Sequence, residues 1–323
     1  MMNIKNTVFA VLLSVTSVFS GLVQADSFPE RPIELVVPFG AGGTTDVFAR
    51  SFARVINKYL PNEQRVVVVN KPGGATTIGM SIVAAAKPDG YTLAFAPVGV
   101  IEVMPHYKGR TTWTLDDFEP VMSFLEIPVA INVLASSELQ NYEQWLEFVQ
   151  ANPGKFTYST SGGTGGGTHL AMEMFSEIAE VDLRHIPFEG QAAGQAALLG
   201  GQTMGVFSIP DTHKGGEVKP LLFLSEARPT SEVYTDVPHA RDVGIPFSSD
   251  FPMGILAPKG VPQERLNIIH DAFKEALDDP AIIAFFETSG LPIIYRDSAA
   301  LDRGIRQRSA ENKRLLTQLG LIK

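Results

Sequence analysis

The chain has 323 residues, of which 45% are hydrophobic and 19% charged, with a net charge of −9 and no cysteine. That length suits one large or two ordinary α/β domains, at about 100–200 residues per domain. Absent cysteine excludes disulfide scaffolds, thiolate zinc sites, iron–sulfur clusters and cysteine nucleophiles. The acidic balance argues against a nucleic-acid or anionic-membrane partner.

The N-terminus reads as an address. Lys5 precedes an apolar run from Val8 to Val23, and Val23-Gln24-Ala25 places small residues before Asp26. This is the pattern of a secretory signal peptide, residues 1–25, cleaved after Ala25. The run is shorter than the roughly 20 apolar residues of a membrane span, and no cysteine offers a lipid-attachment site.

Beyond it, short β-branched runs alternate with segments of helical period, the mark of α/β units built on a parallel sheet. Residues 33–38 and 66–69 read as strands, the second apolar on both faces and therefore central. Between them Phe48, Phe52, Val55, Ile56 and Tyr59 fall on one helical face. A helix over 77–86 ends at Lys87-Pro88-Asp89-Gly90, and a strand follows over 91–96. The stretch Pro128 to Leu134 reads as a connection between two lobes. Helices are expected over 142–152, 169–178 and 191–199, alternating with strands over 155–160, 183–188 and 204–208. Later strands fall at 221–225, 253–257 and 292–295, and helices at 262–277, 280–289 and 299–319.

One device occurs in both halves. Strand 33–38 runs into Phe39-Gly40-Ala41-Gly42-Gly43-Thr44-Thr45-Asp46 and a helix; strand 155–160 runs into Ser161-Gly162-Gly163-Thr164-Gly165-Gly166-Gly167-Thr168-His169 and a helix. Each puts bare backbone and the first amides of a helix at the C-terminal edge of a sheet, an arrangement suited to anions. Neither loop has the Lys-Ser/Thr ending of a phosphate-cradling P-loop. Thr45 stands where a dinucleotide fingerprint needs its third glycine. No Lys or Arg occurs from Val36 to Ala49 or from Phe156 to Leu183. Such loops suit one carboxylate better than a polyphosphate, unless the glycines serve only to make tight turns.

Catalytic patterns are weak. The histidines at 106, 169, 185, 213, 239 and 270 show no metal-ligand spacing, and no His-Glu-x-x-His or Gly-x-Ser-x-Gly motif is present. His169 either lines a pocket or partners a loop carbonyl. Asp46 reads as a cap or helix-dipole partner more than a catalytic acid. Asp211 and His213 face a cleft or form a plain turn, and Trp113 and Trp145 read as packing. No metal or cofactor is expected.

Several short motifs, taken together, resemble those of the extracytoplasmic solute-binding proteins of tripartite tricarboxylate transporters, the Bug family. They are Phe28-Pro29-Glu30-Arg31-Pro32-Ile33, the first loop with its leading Val37-Pro38, Asn70-Lys71-Pro72-Gly73-Gly74, and Lys87-Pro88-Asp89-Gly90-Tyr91-Thr92-Leu93. Pro153 to Tyr158, Thr168-His169-Leu170-Ala171, Pro187-Phe188-Glu189-Gly190, Leu199-Gly200-Gly201-Gln202 and Leu256-Ala257-Pro258-Lys259-Gly260 continue the series in order.

The resemblance implies a two-lobe periplasmic binding protein fold of type II, each lobe a Rossmann-like α/β sheet flanked by helices, with the ligand cleft between them. The lobes would be 26–130 with 251–323, and 131–250. It implies a monomeric receptor for a small carboxylate ligand that hands it to the membrane subunits of a tripartite tricarboxylate transporter. Carried over position by position, the ligand residues are Phe39, Gly40, Ala41, Gly42, Gly43, Thr44 and Thr45 from the first loop. The second loop supplies Ser161, Gly162, Gly163, Thr164, Thr168 and His169. Val98, Gly99, Phe188, Gly190, Ser208 and Asp211 would wall the distal end.

Gly40 stands where members often have Pro, and the second loop is richer in glycine than usual. Ser208 lies where many have Asp, and the segment from Ile209 to Lys219 is short. These departures disfavour an amino-acid ligand and favour a plain mono-, di- or tricarboxylate. The alternatives are a periplasmic sensor that signals to a kinase, and an enzyme using Asp46, His169 or Asp211 as acid or base.

Overall fold

The computed structural model describes residues 27–160, 164–188, 191–209, 216–225, 227–230, 234–249 and 251–323. The expected signal peptide lies outside the described residues. Strands β1 (Ile33–Val37), β2 (Val66–Asn70), β3 (Thr92–Pro97), β4 (Phe118–Glu126), β10 (Pro252–Pro258) and β11 (Arg296–Asp297) form one sheet in the order β11-β4-β10-β3-β1-β2. Strands β5 (Ala130–Leu134), β6 (Thr157–Thr160), β7 (Arg184–His185), β8 (Gly205–Ser208) and β9 (Val218–Phe223) form the other, in the order β7-β6-β8-β5-β9.

The sheets are mixed, not parallel throughout as the alternating pattern suggests. β1 pairs parallel with β2 and β3, and β6 with β7 and β8, but β10 and β5 run antiparallel to both their neighbours. The antiparallel strands are the ones by which the chain enters a sheet from the other one: β4 passes directly to β5 through residues 127–129, and β9 is followed in chain order by β10 of the first sheet. The two chain crossings between sheets run side by side, Ile127 N–H donating to Phe251 O at 3.1 Å and Leu224 N–H to Val129 O at 2.9 Å. β2 is an edge strand, not a central one, and Val67 is 44% exposed. Its run of four valines satisfies β propensity without burial on both faces.

Helices α1 (Thr44–Val55), α2 (Thr77–Ala84) and α3 (Gly99–Val103) follow the first three strands. The second sheet carries α4 (Tyr142–Ala151), α5 (Gly167–Ile178) and α6 (Gln191–Leu199). The chain closes with α7 (Gln263–Ala276), α8 (Pro280–Ser289) and α9 (Ser298–Gln318). α1 buries Phe48, Ala49, Phe52 and Val55 at the expected helical spacing. There Phe52 packs on Phe95, Phe124 and Phe273, while Phe48 meets Phe285 and Phe286 edge to face. Under the second sheet Trp145 fills the corresponding place against Tyr142, Phe156 and Phe175. Each buried aromatic contributes about 1.5–3 kcal/mol from transfer alone. Both tryptophans are packing residues, with Trp113 buried edge-on to Phe118.

The helical bodies of the two sheets meet where α9 and α3 lie on α5. Val103, Leu170, Leu315 and Leu316 bury one another there, and Arg314 approaches Glu177 at 3.6 Å.

Candidate ligand site at two glycine loops

Strand order decides where the loops stand. From β1 the chain goes to β2 on one side and then to β3 on the other; from β6 it goes to β7 and then to β8. The C-terminal ends of β1 and β6 are therefore topological switch points, where adjacent connections leave on opposite faces and open a crevice. Both glycine loops occupy those points.

The loops share their geometry as well as their place. Gly42 and Gly165 take φ of +83° and +74°, a region that side chains disfavour. Gly43 and Gly166 follow as helix N-caps, at φ −76°, ψ 167° and φ −75°, ψ 164°, and each leads into a helix of 12 residues. Helices α4, α8 and α9 have side-chain caps on their first amides, from Asn141, Asp279 and Asp297. α1 and α5 have none. α2, α3 and α7 lack one too, so what sets α1 and α5 apart is the missing cap together with the matching glycine loop at a sheet switch point. Uncapped first-turn amides at the positive helix end favour an anion by about 0.3–2 kcal/mol.

Each loop is held from beneath by the residue four positions after its left-handed glycine. In the first loop, Gly42 N–H donates to Asp46 Oδ2 at 2.8 Å. The same carboxylate accepts from Arg50 Nε at 3.0 Å and from Asn70 Nδ2 at 2.8 Å. Asn70 also donates to Phe39 O at 3.1 Å and accepts from Arg50 at 2.9 Å. Asp46 is 2% exposed. Its hydrogen bond from Arg50, helped by those from Gly42 and Asn70, holds its pKa down to about 2 against the opposing effect of burial. It is a permanent anion that braces the loop and has no proton to give near neutrality. Arg50 stands one residue beyond the cation-free stretch and is engaged in this brace.

In the second loop Gly165 N–H donates to His169 Nδ1 at 3.0 Å. An amide can only donate, so Nδ1 is unprotonated and Nε2 carries the hydrogen, directed at Glu173 Oε1 3.4 Å away. Tyr158 donates to the same oxygen at 3.1 Å. The hydrogen bond from His169 holds Glu173 below the usual carboxylate range. His185 lies against His169 with ring centroids 4.2 Å apart and contacts Thr160 Oγ1 at 3.2 Å. Burial, and then the neighbouring His169, push His185 down to about 4. From the first sheet's side, the Tyr107 hydroxyl donates to Gly165 O at 2.9 Å. Any side chain at Gly165 would collide with that hydroxyl.

The structure groups the expected residues unevenly. Gly40, Ala41, Gly42, Gly43 and Thr44 are exposed at the crest of the first loop, with Thr45 buried and Phe39 half-buried against the core. Thr164 is exposed and Thr168 half-buried at the second. His169 partners a loop amide, not a loop carbonyl, and is 6% exposed. Val98 is buried in the core beneath β3, its N–H donating to Pro252 O at 2.9 Å, while the adjoining Gly99 opens α3. Gly99 and Gly167 face a cavity of about 70 Å3, and Phe251 stands against both. Ser208 is buried at the end of β8, where its carbonyl accepts from Asn132 at 3.1 Å. Phe188 is half-buried. Ser161, Gly162, Gly163, Gly190 and Asp211 lie outside the described residues.

Asn70, Tyr107, Tyr158, Glu173 and His185 escape the sequence reading as parts of the site. A signal was available for Glu173 alone, its i, i+4 spacing from His169, which matches that of Arg50 from Asp46 in the first loop. Tyr158 and His185 are register partners on β6 and β7, a relation that sequence does not display. Among the described residues no group of three His, Asp or Glu side chains could hold a metal ion.

Comparison with known proteins gives a consistent result. Residues 48–321 match the model of the tripartite tricarboxylate transporter family receptor. The chain is 32% identical over 302 residues to the UPF0065 protein of the gbd 5′ region of Cupriavidus necator, covering 93% of this chain and 91% of that one. A TctC solute-binding protein from Polaromonas superposes with a TM-score of 0.75 at 30% identity, over 90% of this chain and 99% of that one. MatC of Rhodopseudomonas palustris, solved with bound malate, shares the fold at 23% identity, with a TM-score of 0.70 over 90% of this chain and 100% of its own.

Proposed function

The chain belongs to the tripartite tricarboxylate transporter receptor family, and from that premise we propose that it captures a small organic carboxylate between its two glycine loops and delivers it to a membrane transporter of that system. Its family and neighbours are solute-binding receptors and not enzymes, and their type is periplasmic. In this reading residues 1–25 direct export and are removed after Ala25. Residues 26–130 with 251–323 form one lobe and residues 131–250 the other, with the ligand held between them.

One observation carries the reading: two loops of matching geometry, each at a topological switch point, each leading into an uncapped helix start. Gly40 to Thr45 and Ser161 to Thr168 offer amides and hydroxyls to a carboxylate, at about 1.5–3 kcal/mol for each charge-assisted hydrogen bond. Phe188, Gly190, Ser208 and Asp211 close the distal end. Asp46 and His169 stand beneath the loops as supports. The malate-bound MatC shares the fold, which makes hydroxy-dicarboxylates the first probes to try.

Thermal unfolding in the presence of malate, adipate, citrate and aromatic acids tests the binding. A ligand at 100 times its Kd stabilises by about 2.7 kcal/mol. No shift with any member of the panel overturns the reading. Delivery is tested by uptake into vesicles bearing the transporter's membrane subunits, which must depend on added receptor.

A further inference from the structure

The two loops have one geometry and two chemistries of support. Under the first, the acceptor of the Gly42 amide is a carboxylate held ionised by Arg50 and Asn70. Under the second, the acceptor of the Gly165 amide is a neutral imidazole nitrogen. A carboxylate accepts in every protonation state that occurs above strong acid. An imidazole accepts through Nδ1 only while that nitrogen is bare; protonation sets two N–H groups against each other.

Titratable and polar groups face His169 from every element packed against it. On its own helix Glu173 faces Nε2 at 3.4 Å. From β6 come the hydroxyls of Tyr158 and Thr160, and from β7 the ring of His185. Tyr107 reaches the Gly165 carbonyl from the first sheet's side, and Arg314 of α9 approaches Glu177 one turn further along α5. The imidazole is buried, but the Glu173 side chain is 28% exposed and lines a groove of about 310 Å3 between α5 and α9. A proton therefore has a path from solvent through the groove to Glu173 and on to His169.

We propose that His169 is a positioning residue whose bare Nδ1 sets the Gly165 amide of the second loop, so that acidification releases the bound anion through this loop alone. Asp46 keeps the first loop set throughout. The ligand half of the proposal rests on the carboxylate-receptor reading; the bracing half does not.

Nitrogen NMR of the free full chain from pH 8 to pH 5, across the window of imidazole chemistry, separates the two. At pH 8 His169 carries its proton on Nε2. On acidification the Gly165 amide moves with the same midpoint as the His169 ring, while the Gly42 amide stays still. His169→Asn, which keeps an acceptor oxygen and cannot titrate, leaves the Gly165 amide insensitive to pH. A proton on Nδ1 at pH 8, a ring still neutral at pH 5, or a Gly165 amide that stays flat while the ring titrates overturns the proposal. Should the variant fail to fold, the wild-type titration decides alone.

Calorimetry with malate and adipate at both pH values reads the ligand half. Affinity falls on acidification by about tenfold more in wild type than in His169→Asn, the worth of one buried amide left unpaired. Equal falls in the two proteins overturn it, and the comparison cancels titration of the acids themselves. Should neither acid bind at any pH, the receptor reading for these acids fails while the amide titration still judges His169.

Discussion

Replacing Asp46 by Asn removes the charge that ties the first loop to α1 and β2 while leaving the shape almost unchanged. The carboxylate has its pKa lowered from 3.8 to about 2 and is nearly fully buried. At 1.36 kcal/mol per unit, that shift corresponds to about 2.5 kcal/mol of stability at pH 7. Half of the Arg50 side chain lies in solvent, which screens part of the attraction, so about 1–2 kcal/mol is the expected cost of Asp46→Asn. The sign follows from the direction of the shift. A depressed carboxylate stabilises fully above its unfolded pKa, and that stability drains away as pH falls through 3.8 toward 2. Wild type and variant should therefore differ most from pH 5 to pH 8, by about half as much at pH 3, and converge near pH 2. Urea unfolding at pH 7 and pH 3 measures this, provided the denaturant slopes agree. A variant within 0.5 kcal/mol of wild type at pH 7, or a cost undiminished at pH 3, refutes the assignment of Asp46 as an ionised brace.

Other expectations follow from the same geometry. Gly43 has an extended backbone with only Gly40 O, at 3.6 Å, near an added Cβ; Gly43→Leu should fold normally yet lose the ligand-induced thermal shift. Gly165→Ala meets both a positive φ and the Tyr107 hydroxyl, and should lower the unfolding midpoint by the equivalent of about 1–3 kcal/mol. Tyr107→Phe removes the donor to the Gly165 carbonyl and should cost about 0.5–1.5 kcal/mol, seen as faster hydrogen exchange in the second loop. Trp145→Ala, at a fully buried position among three aromatic rings, should cost about 3–5 kcal/mol in chemical denaturation.

The glycine-rich loops, their preceding strands and the helices behind them were legible in the sequence because each is a local event. Side-chain period, β-branched runs and glycine clusters report on the backbone of a few consecutive residues. The boundaries of α5 and α8 fall close to their expected places for that reason. β2 was misplaced as central because four valines state a preference for extended backbone without stating how many neighbours the strand will have. β11 lies at Arg296–Asp297 beyond the expected 292–295, where the pairing with β4 begins.

The sequence by itself determined that two bare loops exist, that each opens a helix, and that no cation lies within them. Only the tertiary structure decided that β1 and β6 each sit between two parallel partners, which puts each loop at a topological switch point. It also chose the supports: Asn70 reaches Asp46 from a neighbouring strand, while Tyr158, His185 and Tyr107 gather at the second loop from three separate segments. Such partners are set by strand order and register. These depend on pairings between distant residues, and no window along the chain carries them.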